Sequence, residues 1–462
     1  MTRLTIDHRY THGMPLVRPF RGLGYALERF APPRLPSRIR LLGEPEPGPG
    51  RRVADLTDLA CPPYDVIGPA QQADLLARDP HNAVRVELSA ETDPHAAAAA
   101  TLAAWQSDGT LERRAEPSVY YYAHAQPANP DEPTVSGILA RVLLEPFGAE
   151  VRAHEHTLAG PKADRLALLR ATRTQLSPIL ALYFDRSDRY RHVMSRGWTD
   201  EWRARDADGL LHTLAAVDPD DRLLGYLSRQ RLFIADGHHR YETALAYQGV
   251  VRADSRLANL PLGELAADWI MVVLVNAEME ELEIRATHRL ILDADPDALR
   301  SLIGGSDTLW QSIPAAPDQL EARLDGLRGA EHPVLGLVLP GDEGHLLVGD
   351  PDAVEDRMRR EPSSTAVQRL DLAVLHAAIL GDRLGIDAAS VAAGGRLAYT
   401  RSGPEAVAAV ARGDAKAAIL VRPTRLEQLA AVAIAGDVMP QKSTYFYPKL
   451  LTGLVFNPLE DA

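Results

Sequence analysis

Two rhythms of apolar and polar positions run along the chain. Alternating or short continuous apolar runs predict strands at "NAVRVEL" (Asn82 to Leu88), "SVYYYAHA", "TVSGILARVLLEPFG", "PILALYF", "RLFIAD", "WIMVVLVN" and "ELEIRATHRLIL". Helical spacing appears in "PAQQADLLARDP", in "HAAAAATLAAWQSDG", which Gly109 closes, and in "KADRLALLRAT", whose first turn suits Pro161. From Pro296 the pattern turns Ala-Leu helical. It is broken by a hairpin, "PVLGLVLPGDEGHLLVGD", and continues with an amphipathic helix, "DLAVLHAAILGDRLG", and then helix, strand, helix. Residues Ala31 to Arg52, rich in Pro, Gly and charge, read as a loop excursion, and "CPPYDVIGP" as a rigid turn. The pattern implies a mixed α+β or α/β chain in three segments. These are an N-terminal α/β region over 1–150, a core over 151–295 with a polar, partly helical insertion over 186–230, and a C-terminal α/β region over 296–462.

Composition narrows the function classes. With 462 residues and 46% hydrophobic content, the chain can bury more than one core. A net charge of −13 argues against a partner that is mainly a nucleic-acid backbone. The lone cysteine, Cys61, excludes an intrachain disulfide and points to a reducing, cytoplasmic setting, and no basic neighbour suggests a reactive thiolate there. The first residues lack the order of a signal peptide, and "DWIMVVLV" is far shorter than the roughly 20 residues a membrane span needs, so no membrane partner is expected. The sequence says nothing of oligomeric state.

One stretch carries chemistry: "RLFIADGHHRYETALAY", Arg231 to Tyr247. A buried strand stops at Asp236-Gly237 and a helix follows at once. A helix start points backbone N–H groups outward and carries partial positive charge. Gly237 removes the side chain that would block close approach, Arg240 adds a full charge, and His238 and His239 add donors. Such a corner suits phosphate. The same residues also read as a plain turn with two surface histidines.

"IADGHHR" resembles the phosphate-gripping box of the ParB and sulfiredoxin superfamily. The order upstream is similar too: His154-Glu155, then the helix "DRLALLRAT", then "SPILALY", then the box. The insertion between that strand and the box departs from the pattern. Over nearly the whole chain, "RPFRGLGY", "PPYDVI", "HEHT", "GPKADRL", "SPIL", "ADGHHRYETALAY", "THRL" and "KSTYFYPK" resemble domain of unknown function family 1015 in content and order, with Ala286 standing where proline is expected. Relatives with the same box include kinases that phosphorylate free L-serine. The resemblance implies a ParB/sulfiredoxin-like core that binds ATP or ADP with Mg²⁺ and transfers phosphate to a small hydroxyl metabolite such as L-serine.

On that resemblance Glu155 is the expected general base, with His154 or His156 orienting it and Thr157 beside them. Asp236 is read either as a Mg²⁺ ligand or as a helix cap. His238, His239 and Arg240 would neutralise the transferring group. Lys162 and Arg165 are read either as phosphate or carboxylate contacts or as solvated first-turn charges. In "KSTYFYPK", Lys442, Ser443, Thr444, Tyr445 and Lys449 either fold over the site or form an aromatic strand. Tyr64, Asp65, Ser177, Thr287, His288 and Arg289 complete the candidate pocket. Two other classes stay open: a nucleotide-binding regulatory protein, and a metal-dependent hydrolase built on His154, His156, His238 and His239. For the hydrolase, the H-E-x-x-H spacing is absent.

Overall fold

A computed structural model describes residues 16–30, 52–129, 132–148, 150–155, 159–187, 200–304 and 309–460. The architecture is mixed α/β. The chain divides into two compact units. The first comprises residues 1–152, 159–282 and 448–462; the second comprises 153–158 and 283–447.

The first unit is built on a ten-stranded mixed sheet. Its strands are β1 (Val17–Arg18), β2 (Arg52–Asp55), β3 (Val119–Ala125), β4 (Pro133–Leu143), β5 (Val151–Arg152), β6 (Ile179–Tyr183), β7 (Asp200–Arg205), β8 (Leu211–Val217), β9 (Leu232–Asp236) and β10 (Trp269–Asn276). They lie in the order β2-β7-β8-β3-β4-β10-β6-β9-β5, and β1 takes over beside the end of β4. The pairs β7–β2, β10–β6 and β9–β5 are parallel and the others antiparallel. Every residue of β10 is buried, as its continuous apolar run requires of a strand covered on both faces. The helices of this unit include α1 (Pro69–Arg78), α2 (Val84–Glu87), α3 (Pro94–Ser107), α4 (Ala159–Thr172), α5 (Asp221–Leu227) and α6 (His238–Arg252). Leu223 and Leu227 of α5 and Tyr241 and Ala244 of α6 pack on Ile138, Ala181, Ile234, Val272 and Leu274 of the sheet.

Two segments depart from the sequence reading. Residues 82–88 are not a strand: Asn82 accepts the Val84 amide at 2.9 Å and donates to the Asp58 carbonyl at 2.7 Å, which starts the short helix α2 and turns Glu87 inward. The insertion over 186–230 supplies β7 and β8 of the main sheet as well as α5; residues 188–199 within it lie outside the described residues. The β7–β8 turn is set by Asp206, whose carboxylate accepts the amides of Asp208 and Leu210.

The second unit holds a six-stranded antiparallel sheet made of β11 (His288–Ile291), β12 (Trp310–Pro314), β13 (Val334–Leu339), β14 (Glu343–Gly349), β15 (Leu397–Thr400) and β16 (Ala417–Val421). Its order is β12-β14-β13-β16-β11-β15. Helices α7 (Leu320–Gly326) and α8 (Gly403–Arg412) pack Leu320, Leu324, Ala406 and Val410 on Val334, Val338, Ala418 and Leu420. The expected amphipathic helix near 371–385 is α-helical only over Asp371–Val374 and continues as a π-helix over Leu375–Gly381. Buried Arg422 pairs both oxygens of Asp371, at 2.6 and 2.7 Å, and ties that helix to the end of β16. Among the described residues, no helix is long and apolar enough to cross a membrane.

Gly137 of β4 lies between two strands at close range. A β-carbon there would meet the Leu274 carbonyl oxygen at 2.5 Å and Val275 at 2.9 Å. We expect Gly137→Ala to lower stability by about 1–3 kcal/mol in urea unfolding, as overpacking does.

Candidate functional site

The box forms in the first unit as strand β9, one residue of turn, and helix α6. Leu232 to Ala235 are buried, which pins the strand end in place. Gly237 then adopts φ +93°, and a β-carbon on it would lie 2.6 Å from Ile179. Both facts require glycine. Helix α6 begins at the next residue with no side-chain cap, and its first intrahelical bond runs from the Tyr241 amide to the Gly237 carbonyl at 3.0 Å. The positive end of a four-turn helix therefore sits directly on the turn.

Asp236 anchors the corner. One carboxylate oxygen accepts from Arg240 at 2.6 Å, and the other takes the Lys449 ammonium. Arg240 also donates to the Pro178 carbonyl at 2.6 Å. Burial opposes the charge on Asp236, but Lys449 and Arg240, with His238, outweigh it and hold its pKa well below the usual carboxylate range. Burial likewise opposes the charge on Arg240, and Asp236, helped by Asp65 and Glu87, raises its pKa above the ordinary value. Two cations thus meet one carboxylate at a helix N-terminus. His238 is buried there and His239 half-buried.

The donor set does not fit a dication. Both oxygens of Asp236 already face cations, and among the described residues no group of three or more His, Cys, Asp or Glu is placed to hold a metal ion. Asp236 does not cap the helix either.

The neighbouring residues are more committed than the sequence suggested. Arg165 is buried, donates to Asp164 and to the Glu87 carbonyl, and lies 4.3 Å over the Tyr64 ring. Burial pushes the Tyr64 hydroxyl up to about 12. Lys162 pairs with Glu242 at 2.6 Å, linking α4 to α6. Asp65 is exposed, and Ser177 is buried with its hydroxyl 3.5 Å from Glu87. Sequence reasoning missed Glu87, because it was placed in a half-buried strand; the signal was Asn82, which favours a turn or cap. Cys61 is buried, and burial raises its pKa well above the usual value, which fits the inert thiol expected.

The other candidates belong to the second unit. Buried His154 shares a hydrogen bond with the Thr444 hydroxyl at 2.9 Å, and its carbonyl accepts the Met439 amide at 2.7 Å. Glu155 accepts the Lys442 amide at 2.8 Å. Arg289 is fully buried and donates to the carbonyls of Thr287, Gln441 and Lys442. Burial lowers its pKa to about 10 despite Tyr399 and Glu155. Lys442 sits at φ +56°, so the backbone that bonds Glu155 is itself sharply turned. Thr287 is buried, and His288 is fixed between the Val421 amide and Glu321. Ser443 donates to the Pro440 carbonyl, and Tyr445 pairs with Arg285 in a two-stranded ribbon. The "KSTYFYPK" segment thus divides: Lys442 to Tyr447 belong to the second unit, and Pro448 and Lys449 to the first. His156 and Thr157 lie outside the described residues.

A family model described as "Protein of unknown function (DUF1015)" matches residues 47–373. The chain belongs to this family. Similar solved structures include a conserved hypothetical protein from Pyrococcus furiosus, 12% identical, covering 65% of this chain and 89% of that one at a TM-score of 0.33. They include a free serine kinase in complex with AMP, 12% identical, covering 64% and 83% at 0.35. They also include a C-terminally truncated SbnI from Staphylococcus aureus, 13% identical, covering 70% and 87% at 0.36. No curated protein matches the sequence.

Two outcomes follow from the corner. Gly237→Ala combines a forbidden φ with a clash, so we expect a loss of more than about 2 kcal/mol in chemical denaturation. The depressed Asp236 pKa contributes stability that is complete above about pH 4, the ordinary carboxylate value, and drains as pH falls toward the folded-state value. Stability curves between pH 6 and 2 are expected to fall more steeply in the parent than in Asp236→Asn.

Proposed function

We propose that the protein is a nucleotide-dependent phosphotransferase acting on a small hydroxyl metabolite, with free L-serine the first acceptor to test. The observation that supports this reading is the cationic corner at residues 236–240. Arg240 and Lys449 flank one carboxylate at the start of α6, which no side chain caps. Phosphoryl transfer depends mostly on positioning and on stabilising charge at the phosphate oxygens. A fixed guanidinium, an ammonium and a helix N-terminus supply both. The likeness of the box and of the His154-Glu155 pair to free-serine kinases adds the direction of the reaction.

In this reading the terminal phosphate of ATP or ADP rests on the amides of residues 238–240 and on Arg240. The acceptor hydroxyl attacks phosphorus as its proton passes to a carboxylate base. The new O–P bond forms as the bond to the bridging oxygen breaks, and the electron pair leaves with the shortened nucleotide. On the resemblance alone, Glu155 is proposed as the base; the Lys442 amide fixes one of its oxygens. No residue here is assigned to Mg²⁺, so any magnesium would enter as part of the nucleotide complex.

Calorimetric titration and O-phosphoserine formation test the reading together. Arg240→Ala should weaken ATP or ADP binding by at least about tenfold, the cost of one charge-assisted contact. Glu155→Ala should bind nucleotide like the parent and lose about 100-fold or more in turnover. Normal turnover in Glu155→Ala overturns the base assignment. Nucleotide binding by the parent with no phosphorylated product from any hydroxyl acceptor favours a regulatory nucleotide-binding protein instead.

A further inference from the structure

A cavity of about 460 Å³ opens in the first unit, and none of its lining residues belongs to the corner at 236–240. The volume falls in the range of roughly 300–1,000 Å³ that small-molecule sites take. Part of its wall comes from "RPFRGLGY", a stretch the corner does not use: Gly22 and Gly24 line it, with Tyr120 of β3 and Trp202 of β7. These groups are fixed. The Gly22 amide donates to the Tyr120 hydroxyl at 3.1 Å, and the Trp202 indole donates to the Tyr25 carbonyl at 3.0 Å.

Arginines dominate the charge of this cavity. Arg52, Arg113 and Arg114 line it, and Asp200 is the buried carboxylate among them. Asp200 accepts from Arg52 at 2.7 and 3.0 Å through one oxygen and from Arg114 at 2.9 Å through the other. One carboxylate balances one guanidinium, so this trio keeps a net positive charge. Glu28, Glu112 and Glu116 also line the cavity, but they are exposed, where water and salt screen them.

Arg113 adds a second excess charge. It ends a short strand, Leu111–Arg113, and its Nε is buried without a hydrogen-bond partner. Its ion pair with Glu460 is long, at 3.7 Å, and the glutamate side chain is 67% exposed. Two further arginines crowd it. Arg18 of β1 lies directly opposite Arg141 of β4, and their guanidinium groups lie 4.8 and 5.6 Å from the centre of the Trp269 ring. Like charges facing each other across a strand pair are destabilising. Arg141 donates to the Pro19 carbonyl at 3.3 Å and has no ion pair among the described residues. Burial, then Arg18 and then Arg113, lower its pKa to about 10. The fold thus gathers more positive charge around Arg113 than its own carboxylates offset.

We propose that this cavity is a second anion site, for a small metabolite that carries a compact dianion, either a phosphomonoester or a dicarboxylate. Two excess guanidinium charges match two negative charges. Arg52 Nη1, Arg114 Nη2 and Arg113 Nε keep N–H groups that make no hydrogen bond among the described residues, and charge-assisted bonds to oxyanion oxygens are the strong use of such donors. The volume leaves room for a carbon body beyond the charged head. The site does not depend on what the corner binds.

The probes are glycerol phosphate, succinate and acetate, titrated calorimetrically into the full-length protein at constant ionic strength. At least one dianion should bind about tenfold or more tighter than acetate, and the better of the two names the head group. Arg113→Gln should weaken that dianion by about tenfold or more. It should also melt like the parent, because it removes only an unpartnered donor and a long, exposed ion pair. Ala115→Glu adds a negative charge at an exposed lining position; it should weaken the dianion several-fold and leave the fold untouched. If Arg113→Gln does not fold, Ala115→Glu decides the matter alone. Dianion affinity no better than that of acetate overturns the site. So does dianion binding that folded Arg113→Gln leaves unchanged, which is the result expected of an anion held at the corner instead.

Discussion

The contact of Asp236 with Arg240 and Lys449 is the constraint on which the corner depends. A carboxylate and two cations buried together are costly to desolvate, and breaking such a cluster by removing one partner typically costs about 3–5 kcal/mol. The cluster therefore holds its members in place. Arg240 is further fixed by the Pro178 carbonyl, at the residue before β6, so its guanidinium is referenced to the sheet as well as to its own helix. The turn itself is locked by Gly237 against Ile179. An electrostatic surface that does not have to reorganise is what stabilisation of a transferring phosphate requires.

The residues around this cluster show how a polar interior is made tolerable. Arg165 is satisfied by Asp164, by a carbonyl and by the Tyr64 ring, and so serves as a strut between α4 and α2. Lys162 performs a similar task with Glu242. Glu87 and Thr243 are different: both are buried, and neither is well satisfied by the protein. In the second unit Arg289 plays the strut, holding the backbone at Gln441 and Lys442 whose amide meets Glu155.

Much of the fold could be read from the pattern of residues, and the reasons differ by element. The strands "WIMVVLVN", "PILALYF" and "RLFIAD" and the helix after Gly237 are where their apolar runs and turn chemistry put them. The Val84–Glu87 segment misled because four residues alternate equally well in a strand and in one helical turn, and Asn82 decided the matter through two side-chain bonds. The strand Asp200–Arg205 was hidden because four of its six residues are charged, Asp200 and Glu201 being buried nonetheless, and Leu211–Val217 because polar His212 and Thr213 interrupt its apolar run. At the site, the corner at 236–240 was legible because strand end, glycine and helix start are contiguous. The partners of Asp236 and Glu155 were not, since Lys449 lies 213 residues from Asp236 and the Lys442 amide lies 287 from Glu155. Pairings of that sequence separation leave no local trace.

The division of the last segment bears on how the chain matures. Residues 448–460 belong to the first unit: Thr452 bonds Cys61 through both backbone groups, Asn457 pairs with Gln175, and Lys449 reaches Asp236. On a ribosome, which extends chains from the N-terminus, all of the second unit is made before these residues appear. Until then Asp236 and Arg240 stand together without their lysine, and the strand at Thr174 and Gln175 has an open edge. The first unit must wait through the synthesis of some 165 intervening residues (283–447) before its interior closes, a delay in which a chaperone or the arrival order of the segments has the most influence on the outcome.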